Sequence, residues 1–396
     1  MNIAATASVD GNGGLLYRSD SLAQNPCLIR LKGKPTDGTG FICHDFQSWE
    51  SNVEKSPLAR RAWVVQERAL SPRIVHFAED QVRWECQSCR DSEFSPGLDY
   101  SSKDLGLLAA RSSNSVDLYD EWERTVNRYS QCALTFGSDK FVALAGLAQR
   151  TCQQQTTDYL AGIWRANMPT GLLWRTIPYA RRRKRILDRA PSWSWGCIGG
   201  GVLMPMSRTQ NLEDSVYVWD NRVKAAHART AVSRYSSNEY RPYCRLLSAD
   251  ISHLGDPFGT VTEGSVTLKG PFCAIRTTGP RGTNSIRELS CGSLNCTDNV
   301  VSTMTSSIRW DNEDAGLEGM NSQVYFLLIE ESFGWCNGLV LRPMKLGQGH
   351  YQRLGQILAK PSNLATLLDI STNPDLLERH RYLAADPAYG FTVKIK

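Results

Sequence analysis

In PLARRAWVVQERALSPRIVHF, residues 57–77, Arg61, Trp63, Gln66, Glu67 and Arg68 stand close together, and Glu67 is the member that could drive a reaction. A general acid or base needs a carboxylate whose pKa is moved by a cleft and a tuning partner. On a helix, Glu67 has Trp63 and Leu70 beside it, which would partly bury it, with Arg60, Arg61 and Arg68 as counter-charges. The same residues also make a brace, because a buried carboxylate must be paired or lose its charge. No second carboxylate, nucleophile or phosphate loop lies nearby, so the expectation is a structural lock between elements and no catalytic residue is assigned.

Three other groups invite a chemical reading. Cys86 and Cys89 form a C-x-x-C with Cys43, His44 and His76 upstream, but a zinc site would need a second such pair at defined spacing, and redox chemistry of the thioredoxin kind would need a βαβ context. No metal and no cofactor is expected. Arg181, Arg182, Arg183, Lys184 and Arg185 form the strongest charge run; the bland reading is a solvated loop, with nuclear import as the alternative, and no interleaved aromatic platform favours nucleic acid. Gly199-Gly200-Gly201 lacks the Lys-Ser/Thr and helix of a phosphate cradle. Trp193 and Trp195, alternating with Ser192 and Ser194, suit a strand that sends its tryptophans into a core.

These groups need elements to hold them. Ser56-Pro57 starts a helix and Ser71-Pro72 stops it, with Trp63, Gln66, Glu67 and Leu70 on one face. Arg73 to Phe77, a turn at Ala78-Glu79-Asp80, and Gln81 to Cys86 read as a β-hairpin. Residues 88–115, rich in Ser, Gly and Asp, read as a linker or a long surface loop. Leu118, Trp122, Val126 and Tyr129 form a helical stripe; Ser138 or Asp139 caps a second helix and Thr157 a third, carrying Leu160, Ile163 and Trp164. From Pro191 the pattern turns to strands over 264–277, 323–331, 336–343, 351–358 and 389–395, with 206–240 and 278–320 as polar connections.

At 396 residues the chain is long enough for two or three packed units, and 11 Trp and 14 Tyr supply large buried surfaces. Forty-five basic against 40 acidic residues give a net charge of +5, too little for a global field toward nucleic acid or membrane. The start lacks a signal-peptide pattern and the apolar runs are too short to span a bilayer, so cytoplasmic residence is expected, with the nucleus as the alternative. The 12 Cys are scattered, and reduced buried thiols, Cys132 and Cys273 among them, are expected.

RAWVVQERALSPRIVHF resembles the arginine-tryptophan, glutamine-glutamate-arginine signature of the fungal heterokaryon-incompatibility (HET) proteins. DYLAGIWRANMPTGLLW and APSWSW are similar to later landmarks of that family, through Tyr159, Gly162, Trp164, Leu172, Trp174, Pro191, Trp193 and Trp195, as are GLVLRP and YQRLG. The family's opening serine-tyrosine-x-tryptophan-glycine and tryptophan-isoleucine-aspartate motifs do not occur here, and IAATASVDGNGGLL looks like the end of its HET domain. The resemblance implies a Toll/interleukin-receptor (TIR)-like remnant, a role in non-self recognition and programmed cell death, and a protein partner. Some TIR-like proteins cleave NAD with a Glu; the equivalent residue is expected in the segment this sequence lacks, so no NAD cleavage is expected.

The combined expectation is an α+β chain. A remnant of the HET domain with its helix-hairpin occupies 1–100, a helical section 101–190, and a β-rich domain 191–396. A non-catalytic interaction scaffold is the leading reading. The alternative is an enzyme, NAD-cleaving or another hydrolase, completed by the lacking segment or sited at the helical/β junction.

Overall fold

The computed structural model describes residues 1–17, 27–29, 41–43, 47–86, 89–94, 96–97, 115–154, 157–177, 185–205, 240–278, 287–291, 302–311, 324–332, 334–345, 347–361 and 364–396. It is α+β, with several sheets and few helices. Where the sequence suggests three segments, the chain forms two compact units, Met1–Thr151 and Cys152–Lys396.

The first unit is built on a sheet of β1 (Asn2–Ala4), β4 (Arg73–Phe77), β5 (Val82–Cys86) and β6 (Arg90–Ser92); β2 (Cys27–Ile29) and β3 (Phe41–Cys43) pair separately. The expected hairpin is β4 against β5, with Ile74 opposite Glu85 and His76 opposite Arg83. β1 joins β4 in parallel, setting Ala4 beside His76. Helix α1 (Ala62–Leu70) precedes the hairpin and ends at Ser71, whose backbone is extended ahead of Pro72, as a residue before proline prefers.

Helix α1 buries Ala62, Val65, Arg68 and Ala69, while Trp63, Glu67 and Leu70 are exposed. The helix is therefore rotated from the face that the large apolar residues suggest. Small side chains let its backbone approach its neighbours closely, and that close approach brings Arg68 inside. Two further helices belong to this part of the chain, α2 (Ser115–Tyr129) and α3 (Val142–Gln154). The expected α2 stripe of Leu118, Trp122, Val126 and Tyr129 is buried throughout.

In the second unit the expected helix after Thr157 is a hairpin, β7 (Tyr159–Leu160) and β8 (Ile163–Trp164). Ala161 and Gly162, both at positive φ, make its turn, a conformation that a helix interior does not accept. Short strands β9 (Arg175–Thr176) and β10 (Val202–Leu203) follow. The remaining strands are β11 (Tyr240–Pro242), β12 (Arg245–His253), β13 (Val261–Gly270), β14 (Phe272–Thr278), β15 (Arg287–Cys291), β16 (Ser302–Trp310), β17 (Val324–Ser332), β18 (Trp335–Pro343), β19 (His350–Pro361), β20 (Ala384–Asp386) and β21 (Gly390–Ile395).

Their pairing closes on itself. β14 pairs β15, β15 pairs β16, β16 pairs β19, β19 pairs β18, β18 pairs β17 and β17 returns to β14, every pair antiparallel. A closed ring of strands leaves no free edges. Its interior is the apolar core of Cys273, Ile275, Ile308, Val324, Phe326, Leu328, Cys336, Val340, Leu354, Ile357 and Ala359, joined by Leu367 and Ile370 of helix α4 (Leu364–Thr372). Residues of alternate parity carry an aromatic layer: Phe272 stacks on Tyr325 at 5.2 Å and meets Tyr351 edge-on at 5.1 Å. β13, β21, β12 and β20 extend the sheet beyond the ring.

Pro271 splits the expected 264–277 strand into β13 and β14, because it has no N–H to continue a ladder. Cys273 is disulfide-bonded, against the expectation of a reduced thiol, whereas Cys86, Cys89, Cys132, Cys152, Cys197, Cys244 and Cys336 are not in disulfides. Among the described residues no helix is long and apolar enough to cross a membrane.

Candidate functional site

The most concentrated charge in the first unit surrounds Arg68. Its guanidinium grips Glu85 with Nε to Oε2 at 2.6 Å and Nη2 to Oε1 at 2.8 Å, and Glu54 with Nη2 to Oε1 at 2.7 Å and Nη1 to Oε2 at 3.1 Å. Arg90 reaches both carboxylates, at 3.3 Å from Glu85 and 3.5 Å from Glu54, and Arg128 of α2 pairs with Glu54. The Trp49 indole donates to Glu54 at 3.3 Å, and the Arg90 guanidinium lies 4.8 Å over its ring. His76 closes the cluster: Nε2 is 3.1 Å from Glu85 and Nδ1 is 3.1 Å from the Thr6 hydroxyl.

Each member is held by a different element. Arg68 comes from the small-residue face of α1, His76 from the inward face of β4, Glu85 from the inward face of β5, and Arg90 from the start of β6 directly opposite Glu85. Glu54 ends a single helical turn over Glu50–Glu54. Arg68 and Glu85 are almost wholly buried, so their charges persist only because they are paired and hydrogen-bonded on several sides.

The titration directions agree. Burial alone raises the Glu85 carboxyl, but the His76 hydrogen bond, the Arg68 charge and hydrogen bond, and Arg90 outweigh it and leave the group at about 2. Burial likewise raises Glu54, and Arg68, Arg128 and Arg90 together hold it far below the ordinary carboxylate range. His76 moves the other way: desolvation, helped by the nearby Arg68 charge, lowers it despite the Glu85 hydrogen bond, so it is neutral at pH 7. Carboxylates held this low are poor proton shuttles near neutrality, and both imidazole nitrogens are engaged. The arrangement is chemically suited to locking charge in place.

Glu67 lies outside this network. It is exposed, and its backbone carbonyl accepts from the Ser71 hydroxyl at 2.7 Å. The brace expected around Glu67 is thus formed by Glu54 and Glu85, with Arg68 the signature residue that enters it. Gln66 makes a separate tie, its Oε1 accepting from the Gly146 N–H at 2.7 Å. Arg61 contributes backbone: it bridges to Ala133, and the neighbouring Ala62 N–H donates to the Ala133 carbonyl at 3.0 Å. A cavity of about 160 Å³ adjoins the network, lined by Thr6, Ser56, Glu67, Arg68 and His76 among others.

In the second unit Arg353 is fully buried. Arg353 donates to Asp311 at 3.1 and 3.2 Å, to the Trp174 carbonyl at 2.5 Å and to the Leu172 carbonyl, while its guanidinium stacks 3.4 Å from the Trp174 ring. Trp174 donates to the Trp193 carbonyl at 2.8 Å, and Trp195 to the Gly162 carbonyl at 2.9 Å. The Ser194 hydroxyl donates to the Ala161 carbonyl at 2.6 Å. Trp164, Trp193 and Trp195 are buried as expected, but on turns and the short strand β8; Trp195 opens a 3-10 turn, so the expected strand through 193–195 is not formed. Pro191 sits where any Cβ on Gly264 would meet it at 2.5 Å.

Of the basic run, Arg181, Arg182, Arg183 and Lys184 lie outside the described residues. Arg185 is turned inward, pairing with Asp311 at 3.0 Å and bonding the Arg353 carbonyl, so it does not belong to a freely solvated run. His44 also lies outside the described residues, and among those described no cluster of three or more His, Cys, Asp or Glu could hold a metal. A second cavity, about 470 Å³, is lined by Arg165, Asn167, Thr170, Cys244, Arg245 and neighbours, with no carboxylate among its described lining residues. That lining does not supply the paired acids of a hydrolase.

No protein-family profile, curated protein or solved structure matches this chain.

Proposed function

We propose that the protein is a non-catalytic interaction scaffold of the heterokaryon-incompatibility type, acting through a protein partner in fungal non-self recognition and the cell-death response. The observation that supports this reading is the condition of the Arg68 network. Its two carboxylates are spent on ion pairs with Arg68, Arg90 and Arg128, and His76 is held neutral between Glu85 and Thr6. In the same reading, the sheet with parallel β1 and β4 belongs to a TIR-like domain.

The reading has a direct biochemical test. Purified protein incubated with NAD is expected to release no nicotinamide above the buffer control, and Glu67→Gln to behave identically. Nicotinamide release that Glu67→Gln abolishes would overturn the scaffold reading in favour of an NAD-cleaving enzyme. In fungal cells, the incompatibility response is expected to depend on Arg68 and to be indifferent to Glu67.

A further inference from the structure

Outside the charge network, β5 ends in a pair of thiols that the brace does not use. Cys86 Sγ and Cys89 Sγ are 3.5 Å apart, neither is in a disulfide, and the Cys86 N–H donates to the Cys89 carbonyl at 2.9 Å, so the end of β5 and the residue before β6 already bring the two side chains together. Cys89 is exposed and Cys86 half-buried. The pair closes directly outside Glu85 and Arg90, which are cross-strand partners and both belong to the Arg68 network.

We propose that Cys86 and Cys89 form a reversible dithiol/disulfide modification site that reacts with low-molecular-weight disulfides. The exposed Cys89 thiolate attacks one sulfur of the small disulfide; that S–S bond breaks, and one small thiolate leaves and takes up a proton. Cys86, as thiolate, then attacks Cys89 Sγ, forming the protein S–S bond and releasing the second small thiol. The two protein thiols lose two electrons and two protons, and the small disulfide gains them as two thiols. The existing Sγ–Sγ contact favours the second step over accumulation of a mixed disulfide, because the resolving sulfur is already beside Cys89. Closure ties the end of β5 to the start of β6, and with them the spacing of Glu85 and Arg90.

The experiment equilibrates the full chain with oxidised and reduced glutathione over a range of ratios, quenches with acid and maps alkylated peptides by mass spectrometry. The expected result is that Cys86 and Cys89 lose their labels together, one for one, as a two-thiol transition, with the linked peptide two hydrogens lighter. In Cys86→Ser, Cys89 is expected to stop as the glutathione adduct. Accumulation of that adduct in the unaltered chain while Cys86 stays alkylatable would overturn the proposal, as would a pair that remains fully reduced in oxidised glutathione alone.

Discussion

Replacing Arg68 by Met keeps most of the side chain's length and removes its charge, and the outcome separates an electrostatic lock from ordinary packing. Glu85, about 1% exposed, would lose its two closest charged donors and keep only Arg90 at 3.3 Å and neutral His76; Glu54 would lose two of its contacts. Removing one partner of a buried pair costs about 3–5 kcal/mol. The displacement of Glu85 from 4.5 to about 2, to which the His76 hydrogen bond, Arg68 and Arg90 all contribute, is worth about 3 kcal/mol in all at ~1.4 kcal/mol per pKa unit. Amide hydrogen exchange along β4 and β5 reports the first unit separately from the second, and exchange through unfolding should quicken by roughly two to three and a half decades. The pH dependence is the sharper arm. A depressed carboxylate contributes its stability above about pH 4.5 and loses it as pH falls through about 2, so the deficit of Arg68→Met should be full at pH 7 and shrink from pH 4.5 downward. Arg68 also helps to hold His76 below its ordinary 6.5, so in Arg68→Met that ring charges more easily beside Glu85, and part of the deficit already shrinks as pH falls below 6.5. A deficit below about 1 kcal/mol, or one that stays constant from pH 7 to pH 2, would refute the lock.

Four further outcomes follow from the same geometry. Glu67→Gln should change the chemical-denaturation midpoint by less than about 0.5 kcal/mol, because an exposed residue outside the network has little to lose. Gln66→Ala should cost about 1–2 kcal/mol, read as faster exchange at the Gly146 amide, by removing the acceptor 2.7 Å from that N–H. Gly162→Ala should destabilise the second unit by more than about 2 kcal/mol in a thermal melt, since φ is +94° and a Cβ would meet the Trp195 indole at 2.4 Å. Asp311→Asn should cost about 3 kcal/mol or more by protease susceptibility of the second unit, because it strips the counter-charge from fully buried Arg353 and from Arg185.

What the sequence disclosed and what it concealed have physical causes. The hairpin at 73–86 and the α2 stripe were legible because apolar periodicity and turn residues agreed there with burial. Burial of Trp164, Trp193 and Trp195 was legible from residue type, but their setting was not, since turns stabilised by indole and hydroxyl bonds to carbonyls leave no period to read. β15 and β16, polar in composition, hid within an expected connection, and only closure of the strand ring gives Ile308 of β16 a core to enter. The Arg68 site was the deepest inversion. In Val82-Arg83-Trp84-Glu85-Cys86 the charged residues read as the solvent face, yet Arg83 and Glu85 point inward, and α1 turns its alanines and Arg68 in while leaving Trp63 and Leu70 out. Periodicity ranks residues by hydrophobicity and so assigns an ion-paired face to water. The recoverable sign of such a face is charge balance across elements: Arg68, Arg90 and Arg128 set against Glu54 and Glu85, on segments that fold together, make a closed set that no single helix or strand reveals. A stretch whose large apolar residues face solvent while its small residues flank one arginine is therefore better searched for distant carboxylates than for a catalytic neighbour, and here that search would have found Glu85 and Glu54 in place of Glu67.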